Sequence, residues 1–380
     1  MTGRNGPSTA DTGHRTVEDA AVSASRPRSR IVIGVVVLLG SLVVVGAALR
    51  FLTAADFDPT ALIAFGERAD EINEYAEREL GRPVLVREQL GHDGKFFFIQ
   101  ASDPFFLEPE SHAVYLDRPA YRGQRMLYPL LAGGFGLLPS VAIQWTMLLV
   151  NIAAVAVGTW ATARLAEEMG GSPWLGLAFA LNIGVISDMM IGGAGILALA
   201  LGVLGVLALE RHQFWQAVMW LALAALTREV MLLFVAGVAL LALKRIGWRA
   251  IWLGLVPGVA VVAWAGYLRV RIDEASLIEE VREFGLPFQG IIESIPRWSE
   301  RAIDPLVAGI LFLLGIALLV RSVINPTYIG WGSVGFFIMS LFLSYLVWSR
   351  YFDITRALAP VMTAYVLVTF TPQIRRVPDS

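Results

Sequence analysis

The chain of 380 residues contains no cysteine and only four histidines. The lack of cysteine excludes a disulfide framework, a haem-attachment motif and a thiolate metal site. The histidines show no HExxH or similar spacing, so a zinc site is not expected. Phosphate-binding and dinucleotide-binding loops are missing too, which argues against a reaction driven by ATP or NAD. The net charge of −2 provides no basic field for nucleic acid.

Charge is scarce and apolar residues are abundant. Charged residues form 16% of the chain, whereas soluble proteins carry about a quarter. Hydrophobic residues form 56%, and the mean hydropathy is +0.63. We therefore expect an all-α polytopic membrane protein with about ten transmembrane helices. The predicted spans are 31–51, 141–164, 173–187, 190–209, 213–227, 230–244, 250–269, 302–321, 327–348 and 354–371.

The two ends of the chain differ from the apolar part. Residues 1–30 are rich in Ser, Thr, Gly and Arg, which predicts a disordered tail. The apolar run that follows is too long for a signal peptide. Residues 31–371 would form the membrane domain and 372–380 a second tail. Arginines and lysines then cluster in alternate loops, which predicts that both termini are cytoplasmic.

This topology gives two long outer loops, 52–140 and 270–301. It holds only if segment 126–138 does not cross the membrane, because a crossing would place Lys244 and Arg245 outside, against the positive-inside rule. The segment is only about 13 residues long, fewer than the ~20 of a span. We predict an interfacial or re-entrant helix there.

The first outer loop is expected to contain an amphipathic helix over 59–80. Asp58 and Pro59 suit the cap and the first helical position, and Gly81 suits the end. A weaker pattern of the same kind covers 276–284. The apolar stripe that would lie on the bilayer is Phe65, Ala69, Ile72 and Ala76.

Segment 91–98 (GHDGKFFF) is the most unusual polar stretch of this loop. Its Asp93 lies between glycines beside an aromatic run, which suits a partly desolvated carboxylate acting as general base. The alternative is an Asx-turn acid that caps the next helix. Asp103 precedes a proline, so a turn or cap is favoured there, with a second role in positioning an acceptor as the alternative.

Three arginines follow in the same loop. Arg122 and Arg125 are three residues apart, Arg118 lies just upstream, and arginine forks suit phosphate oxygens. The alternatives are attraction to anionic headgroups and salt bridges to Asp117 or to acids in 108–110.

Further charges lie between the short spans. Ionisable groups within a membrane fold are costly and usually face a cavity or one another. The predicted topology places all of them on the outer side with Asp93, which indicates one shared polar cavity. The alternative is that the 228–229 and 353–356 pairs are structural. The charged residues between the short spans are Asp188, Arg228, Glu229, Arg350, Asp353 and Arg356.

The glycine-rich piece 192–195 has apolar surroundings. We interpret it as a site of close helix packing.

The order of these motifs resembles bacterial members of the glycosyltransferase C superfamily over roughly residues 31–370. The segments that carry the resemblance are Asp93-Gly94, 116–122 (LDRPAYR), 125–131 (RMLYPLL), 226–229 (LTRE) and 353–360 (DITRALAP). Such proteins are polytopic enzymes of the bacterial plasma membrane. Many relatives have an acidic pair where this chain has Asp188 alone, so a shared-acid role there is not expected.

The resemblance implies inverting transfer of a sugar from a polyprenyl-phosphate donor to a lipid, glycan or protein acceptor at the extracytoplasmic face. It assigns Asp93 as the base. Asp103 is the second catalytic candidate from the sequence itself, as an acid ten residues away that is able to position an acceptor or share the proton. Arg356 and Arg125, then Arg228, would neutralise the departing lipid phosphate. Candidate ligands of the phosphate and sugar are His92, Lys95, Arg118, Arg122, Arg125, Tyr128, Asp188, Arg228, Glu229, Asp353 and Arg356.

No cofactor is predicted. Asp93, Asp103 and Asp188 are chemically able to ligate Mg²⁺ or Mn²⁺, but relatives with one loop acid often need no metal. Two other functions compete with the enzyme: a lipid-linked sugar flippase or transporter, and a non-catalytic assembly subunit with the same fold. A transporter should show polar residues toward the inner half of its spans, and this sequence has few.

Overall fold

A computed structural model of the chain describes residues 10–87, 91–272, 284–299 and 301–372, with side chains from residue 29 onward. The chain is mostly helical, as expected. Of the predicted tails, residues 1–9 and 373–380 lie outside the described part. The helix predicted over 276–284 also lies outside it, apart from Phe284.

The described part contains the following helices and strands. The α-helices are α1 (Ala10–Thr53), α2 (Asp70–Leu80), α3 (Gly94–Ser102), α4 (Pro109–His112), α5 (Pro119–Gly123), α6 (Leu127–Ala132), α7 (Ser140–Glu168), α8 (Leu177–Ala180), α9 (Ile183–Met189), α10 (Gly195–Glu210), α11 (Phe214–Thr227), α12 (Met231–Ile246), α13 (Ile251–Arg271), α14 (Gln289–Ser294), α15 (Ile303–Ile324), α16 (Tyr328–Ser340), α17 (Tyr345–Trp348), α18 (Tyr351–Ala357) and α19 (Ala359–Phe370). Short 3₁₀ helices are Pro59–Leu62, Ala113–Tyr115, Pro173–Gly176, Gly247–Ala250 and Arg297–Ser299, and the strands are β1 (Phe65–Gly66) and β2 (Val86–Arg87).

Four helical runs of the described residues are long and apolar enough to cross a membrane: Ser29–Thr53, Ser140–Glu168, Met231–Arg271 and Ile303–Ile324. The pair α18 and α19, bent by 61°, would make a fifth if it counts as one span. The ten predicted spans are thus not confirmed, because the other apolar segments form shorter or broken helices. The segment 173–187, for instance, contains one 3₁₀ helix and two short α-helices.

The longest run contains a chain reversal. A single straight helix over Met231–Arg271 would be roughly 60 Å long, about twice the ~30 Å hydrocarbon core of a bilayer. Gly247 lies between α12 and α13 with a left-handed φ of 68°, and α13 packs against both α12 and α11. This reversal joins two adjacent helices.

Helix α7 is central to the packing. It contacts α1 and α10 within the membrane part, and α2, α3 and α6 of the segment between α1 and α7. On the other side α12 packs against α16, and α15 packs against α16, α18 and α19. Large apolar side chains remain exposed along α1, α7, α13 and α15, as lipid-facing surfaces require.

The segment 52–140 forms a small folded unit with its own core. Tyr75, Phe98 and Phe106 are buried there, against Ile143 and Met147 of α7. The prediction of one helix over 59–80 is wrong: a 3₁₀ helix, strand β1 and α2 replace it. The predicted cap at Asp58 and the predicted end at Gly81 are confirmed, as the start of the 3₁₀ helix and the end of α2. Strand β1 pairs in parallel with β2 through Phe65 and Val86, so the fold is not purely helical.

Two further predictions about segment boundaries are answered by the structure. Helix α1 begins at Ala10, so part of the segment predicted to be disordered is helical. In 126–138 the only helix is α6, with six residues. At about 9 Å it is far too short to cross a membrane, which agrees with the prediction that this segment does not span.

Candidate functional site

One large cavity brings together most of the charged residues singled out in the sequence. Its volume is about 2640 Å³, whereas small-molecule pockets measure roughly 300–1000 Å³. Ten of the predicted site residues line it. They are His92, Asp93, Lys95, Arg118, Arg122, Arg125, Arg228, Glu229, Asp353 and Arg356.

Asp93 precedes α3, but its side chain does not cap that helix. Oδ1 accepts a hydrogen bond from Arg122 Nη1 at 2.9 Å, and Oδ2 accepts one from Arg125 Nη1 at 3.1 Å. Arg356 Nη2 lies 3.7 Å from Oδ2. The capping alternative therefore does not hold, and the carboxylate faces three arginines.

Glycines on either side of Asp93 allow this placement. Gly91 has a φ of +68°, and a Cβ there would lie 2.3 Å from the carbonyl oxygen of Ala64. A Cβ on Gly94 would lie 2.1 Å from the carbonyl oxygen of Ile191. Residues 91–94 therefore lie in backbone contact with two other segments, which only glycine permits.

The arginines determine the protonation state of Asp93. Burial alone raises the pKa of a carboxyl group, but the positive charges of Arg125, Arg122 and Arg356 outweigh it and hold the pKa of Asp93 far below its usual range. Next to it, burial lowers the pKa of His92 to about 4, and Arg356 adds to that shift. At neutral pH Asp93 is therefore ionised and His92 is neutral.

Arg125 links two acids. Only 5% exposed, it donates from Nε and Nη2 to the two carboxylate oxygens of Glu229, each at 3.2 Å. Its Nη1 donates to Asp93, and Nη2 also donates to Tyr121 Oη at 2.7 Å. Each guanidinium nitrogen thus has a partner, which fixes the arginine in place.

Arg122 is shared in the same way. Its Nε and Nη2 donate to the two carboxylate oxygens of Asp117, each at 2.8 Å, and the guanidinium lies 4.2 Å from the Phe96 ring centroid. The salt-bridge alternative therefore holds for Arg122, although it also contacts Asp93. Arg118 lies over the Tyr121 ring at 4.6 Å.

Arg228 differs from these arginines. It does not pair with Glu229, which pairs with Arg125 instead. Among the described residues, no carboxylate oxygen lies within 4.0 Å of its guanidinium nitrogens. It is half-buried, lines the cavity and has Arg125 and Arg356 as positively charged neighbours. Arg228 is thus a cavity-lining cation that forms no salt bridge within the described part of the chain, although the charges of Asp188 and Glu229 lie near enough to favour its charged form.

Arg356 of α18 is held by acids on several sides. Nε donates to Asp188 Oδ1 at 3.0 Å, and Nη1 donates to Asp353 Oδ1 at 3.4 Å. The structural pair predicted within 353–356 is therefore present, in addition to the contact with Asp93. We call Asp93, Arg122, Arg125, Arg228, Glu229 and Arg356 the charged cluster.

The other predicted residues lie close by or elsewhere. His92 packs its ring 5.4 Å from that of Phe352, and Lys95 lies beside the Phe96 ring with 4% exposure. Asp103 does not line the cavity: its carboxylate accepts the backbone N–H groups of Leu107 and Glu108, each at 2.8 Å. The turn interpretation of Asp103 fits this geometry.

Tyr128 and Asp188 also lie outside the cavity lining. The Tyr128 hydroxyl donates to the carbonyl of Met147 and accepts from Asn151 in the core. Asp188 is buried beneath Arg356. Glycines of 192–195, expected to serve helix packing, instead make room for the Asp188 carboxylate: a Cβ on Gly193 would lie 2.1 Å from its Oδ1.

A second, apolar part of the cavity escaped the sequence analysis. We call it the apolar groove. It consists of Leu232, Leu233, Ala236, Gly237 and Leu240 of α12 and Trp331, Val334, Gly335, Ile338 and Met339 of α16. The α12 residues recur at four-residue spacing, so they share one face over about 12 Å. This face could not be recognised from the sequence, because almost every residue of α12 is apolar and no spacing stands out.

Tyr121 and Phe96 were also not among the site residues predicted from the sequence. They belong to the cavity lining through their contacts with the arginines. Within the described ranges, no group of three or more His, Asp or Glu side chains is arranged to hold a metal ion.

Comparison of the chain with protein-family models, with curated proteins and with solved structures finds no match.

Proposed function

We propose that this protein is an integral-membrane glycosyltransferase that moves a sugar from a polyprenyl-phosphate donor to an acceptor hydroxyl, with inversion. The observation that carries the proposal is the shape and chemistry of the cavity. One part holds a carboxylate among arginines, and the apolar groove continues from it. A donor with an anionic head and a long apolar tail is complementary to both parts.

In the proposed reaction the acceptor oxygen attacks the anomeric carbon as the bond from that carbon to the phosphate oxygen breaks. The hydroxyl proton passes to Asp93, and the electron pair of the broken bond stays on the polyprenyl phosphate. Arginines at the phosphate stabilise the negative charge that develops there. Asp93 then returns its proton to solvent.

The ion pairs of Asp93 limit its ability to accept a proton until the donor is bound. A carboxylate whose pKa is held far below its usual range binds a proton weakly. A donor phosphate beside Arg356 and Arg125 would compete with Asp93 for their N–H groups. Asp93 would then lose part of its stabilisation, and its proton affinity would rise when the donor is bound.

Arg228 is the residue best suited to hold the phosphate. The other arginines of the charged cluster already donate to carboxylates of the chain. A phosphate at Arg228 displaces no ion pair and relieves the repulsion from Arg125 and Arg356.

The proposal is tested with Asp93→Asn, which keeps the size of the side chain and removes the base. We expect sugar transfer to fall by at least about 10²-fold. The measurement compares polyprenol-linked glycolipids in a strain lacking the gene, complemented with wild-type or variant protein. The matched control is Asp58→Asn, because Asp58 also pairs with an arginine, Arg82 at 2.6 Å, but does not line the cavity.

Wild-type complementation should restore the parental glycolipid profile and Asp93→Asn should not, with similar amounts of both proteins in the membrane. Undiminished activity of Asp93→Asn would refute the base assignment. An unchanged glycolipid profile after gene deletion would contradict the transferase itself.

A further inference from the structure

Asp188 lies behind the cavity. Asp188 was predicted from the sequence to be a substrate ligand, but the residue is only 3% exposed and does not line the cavity. We propose that Asp188 is a positioning residue whose carboxylate holds Arg356 so that its Nη groups face the cavity. The inference depends on the proposed function only for the identity of what Arg356 binds.

The contacts of Arg356 divide into a buried side and a cavity side. On the buried side, Nε donates to Asp188 Oδ1 at 3.0 Å. On the cavity side, Nη1 is 3.4 Å from Asp353 Oδ1 and Nη2 is 3.7 Å from Asp93 Oδ2. The shortest contact is the buried one, so Asp188 sets the orientation while the Nη groups keep longer, weaker contacts.

Asp188 is itself held in a fixed position. Its Oδ2 accepts the backbone N–H of Ile196 at 3.2 Å. A Cβ on Gly193 would lie 2.1 Å from Oδ1, and a Cβ on Gly195 would lie 2.8 Å from Oδ2. The position of that second Cβ is also 3.0 Å from Arg228 Nη1. The glycines therefore let one carboxylate sit against Arg356 and close to Arg228.

The backbone brings the two side chains together. Gly184 and Asp188 are four residues apart in α9 and share a face. A Cβ on Gly184 would lie 2.1 Å from the carbonyl oxygen of Thr355, the residue before Arg356. Helices α9 and α18 thus meet backbone to backbone. Asn182 Nδ2 also donates to the carbonyl of Ala359 at 2.8 Å, which ties α9 to α19.

In this arrangement Asp188 orients Arg356 from the buried side, and the Nη groups of Arg356 remain available for binding on the cavity side. A buried carboxylate needs a partner of opposite charge, and Arg356 supplies it from a side that substrate does not reach. Asp188→Asn keeps the volume and an acceptor oxygen but removes the charge. The hydrogen bond to Arg356 Nε would then lose its charge assistance, so Arg356 would turn more readily and its placement in the cavity would be less fixed.

Arginine labelling tests the inference without any substrate. Full-length protein in detergent is treated with phenylglyoxal, and modification of each arginine is followed by peptide mass spectrometry. We expect Asp188→Asn to raise the modification rate of Arg356 several-fold, with that of Arg82 unchanged. Asp58→Asn should raise the modification rate of Arg82 and leave that of Arg356 unchanged. An unchanged Arg356 rate in Asp188→Asn would overturn the inference.

A second measurement uses undecaprenyl phosphate in nanodiscs as the probe. We expect Asp188→Asn to weaken its binding by about ten-fold, the effect of one charge-assisted hydrogen bond. In the Arg356→Gln background the same change should have no effect, because Asp188 acts through Arg356. The double variant is neutral at both positions and should fold even if Asp188→Asn does not.

An additional loss in the double variant would refute the positioning role. If the wild type does not bind the probe, the proposed function fails, while the labelling result still decides the role of Asp188.

Discussion

The carboxylate of Asp93 shares its arginines with other acids. Arg122 also donates to Asp117, and Arg125 also donates to Glu229. Removing one member of such a pair is costly, because it leaves the other charge without its partner. Arg228 forms no salt bridge of this kind with the described residues, and the proposed donor phosphate would supply one.

This difference gives a prediction for two arginines of the charged cluster. Arg228→Ala should lower sugar transfer by about 10²–10³-fold, the loss typical of a group that stabilises developing charge. Its unfolding temperature should change little, because the repulsion of Arg228 by Arg125 and Arg356 offsets its attraction to Asp188 and Glu229. Arg125→Ala should lower the free energy of unfolding by about 3–5 kcal/mol, because Glu229 and Asp93 lose a partner.

The measurements are glycolipid production in the complemented strain and thermal unfolding of the purified variants. Arg211→Ala is the control, as Arg211 pairs with Glu168 away from the cavity. Full activity of Arg228→Ala would refute its role at the phosphate.

Charged residues of the site were predictable, and apolar ones were not. Asp93, Arg125 and Arg356 stand out because ionisable groups are rare in such a chain. Their pairing was not predictable: Glu229 is adjacent to Arg228 in sequence but bonds to Arg125, which is set by the packing of separate segments. Trp331 and Leu240 line the apolar groove but look like any other apolar residue.

At the level of elements, local sequence patterns predicted a helix correctly only where contacts between nearby residues determine the structure. The spans α1 and α7 follow from apolar length alone. The helix predicted over 59–80 was wrong because Phe65 pairs with Val86, a contact between distant residues that no local pattern contains. The segment 173–187 was predicted as one span, yet Asn182 caps α9 and divides it.

Helix α3 allows a test of how the elements position Asp93. Gly94→Ala would place a methyl group 2.1 Å from the Ile191 carbonyl oxygen and 2.4 Å from that of Ile63. Overpacking typically costs about 1–3 kcal/mol, and backbone atoms yield less than side chains. We expect a lower unfolding temperature and a displaced Asp93, seen as reduced glycolipid production.

The control is Gly34→Ala in α1, where a Cβ would meet nothing within 4 Å. Alanine is there expected to stabilise the helix slightly, since glycine costs about 1 kcal/mol in a helix interior. Equal effects of the two substitutions would contradict the close approach at Gly94.

At the scale of the whole molecule, the cavity joins two environments. The segment 52–140 supplies Asp93, Arg122 and Arg125 from a folded unit outside the candidate spans, whereas α12 and α16 supply an apolar groove from the membrane part. A donor bound across both would keep its tail in contact with apolar helices and its phosphate beside arginines. The proposed reaction thus requires that the segment 52–140 lie on the side of the membrane where donor and acceptor meet.

Because the chain has no native cysteine, single introduced cysteines can show on which side of the membrane the segment 52–140 lies. Leu107→Cys places a thiol in the segment 52–140 at a position 64% exposed, and Trp248→Cys places one between α12 and α13 at a position 71% exposed. With the cavity on the outer face, a membrane-impermeant maleimide should label Leu107→Cys in intact cells and Trp248→Cys only after permeabilisation. Arginine and lysine flank Trp248, so the positive-inside rule favours the same result. The opposite labelling pattern would place the charged cluster at the cytoplasmic face and contradict transfer on the outer side.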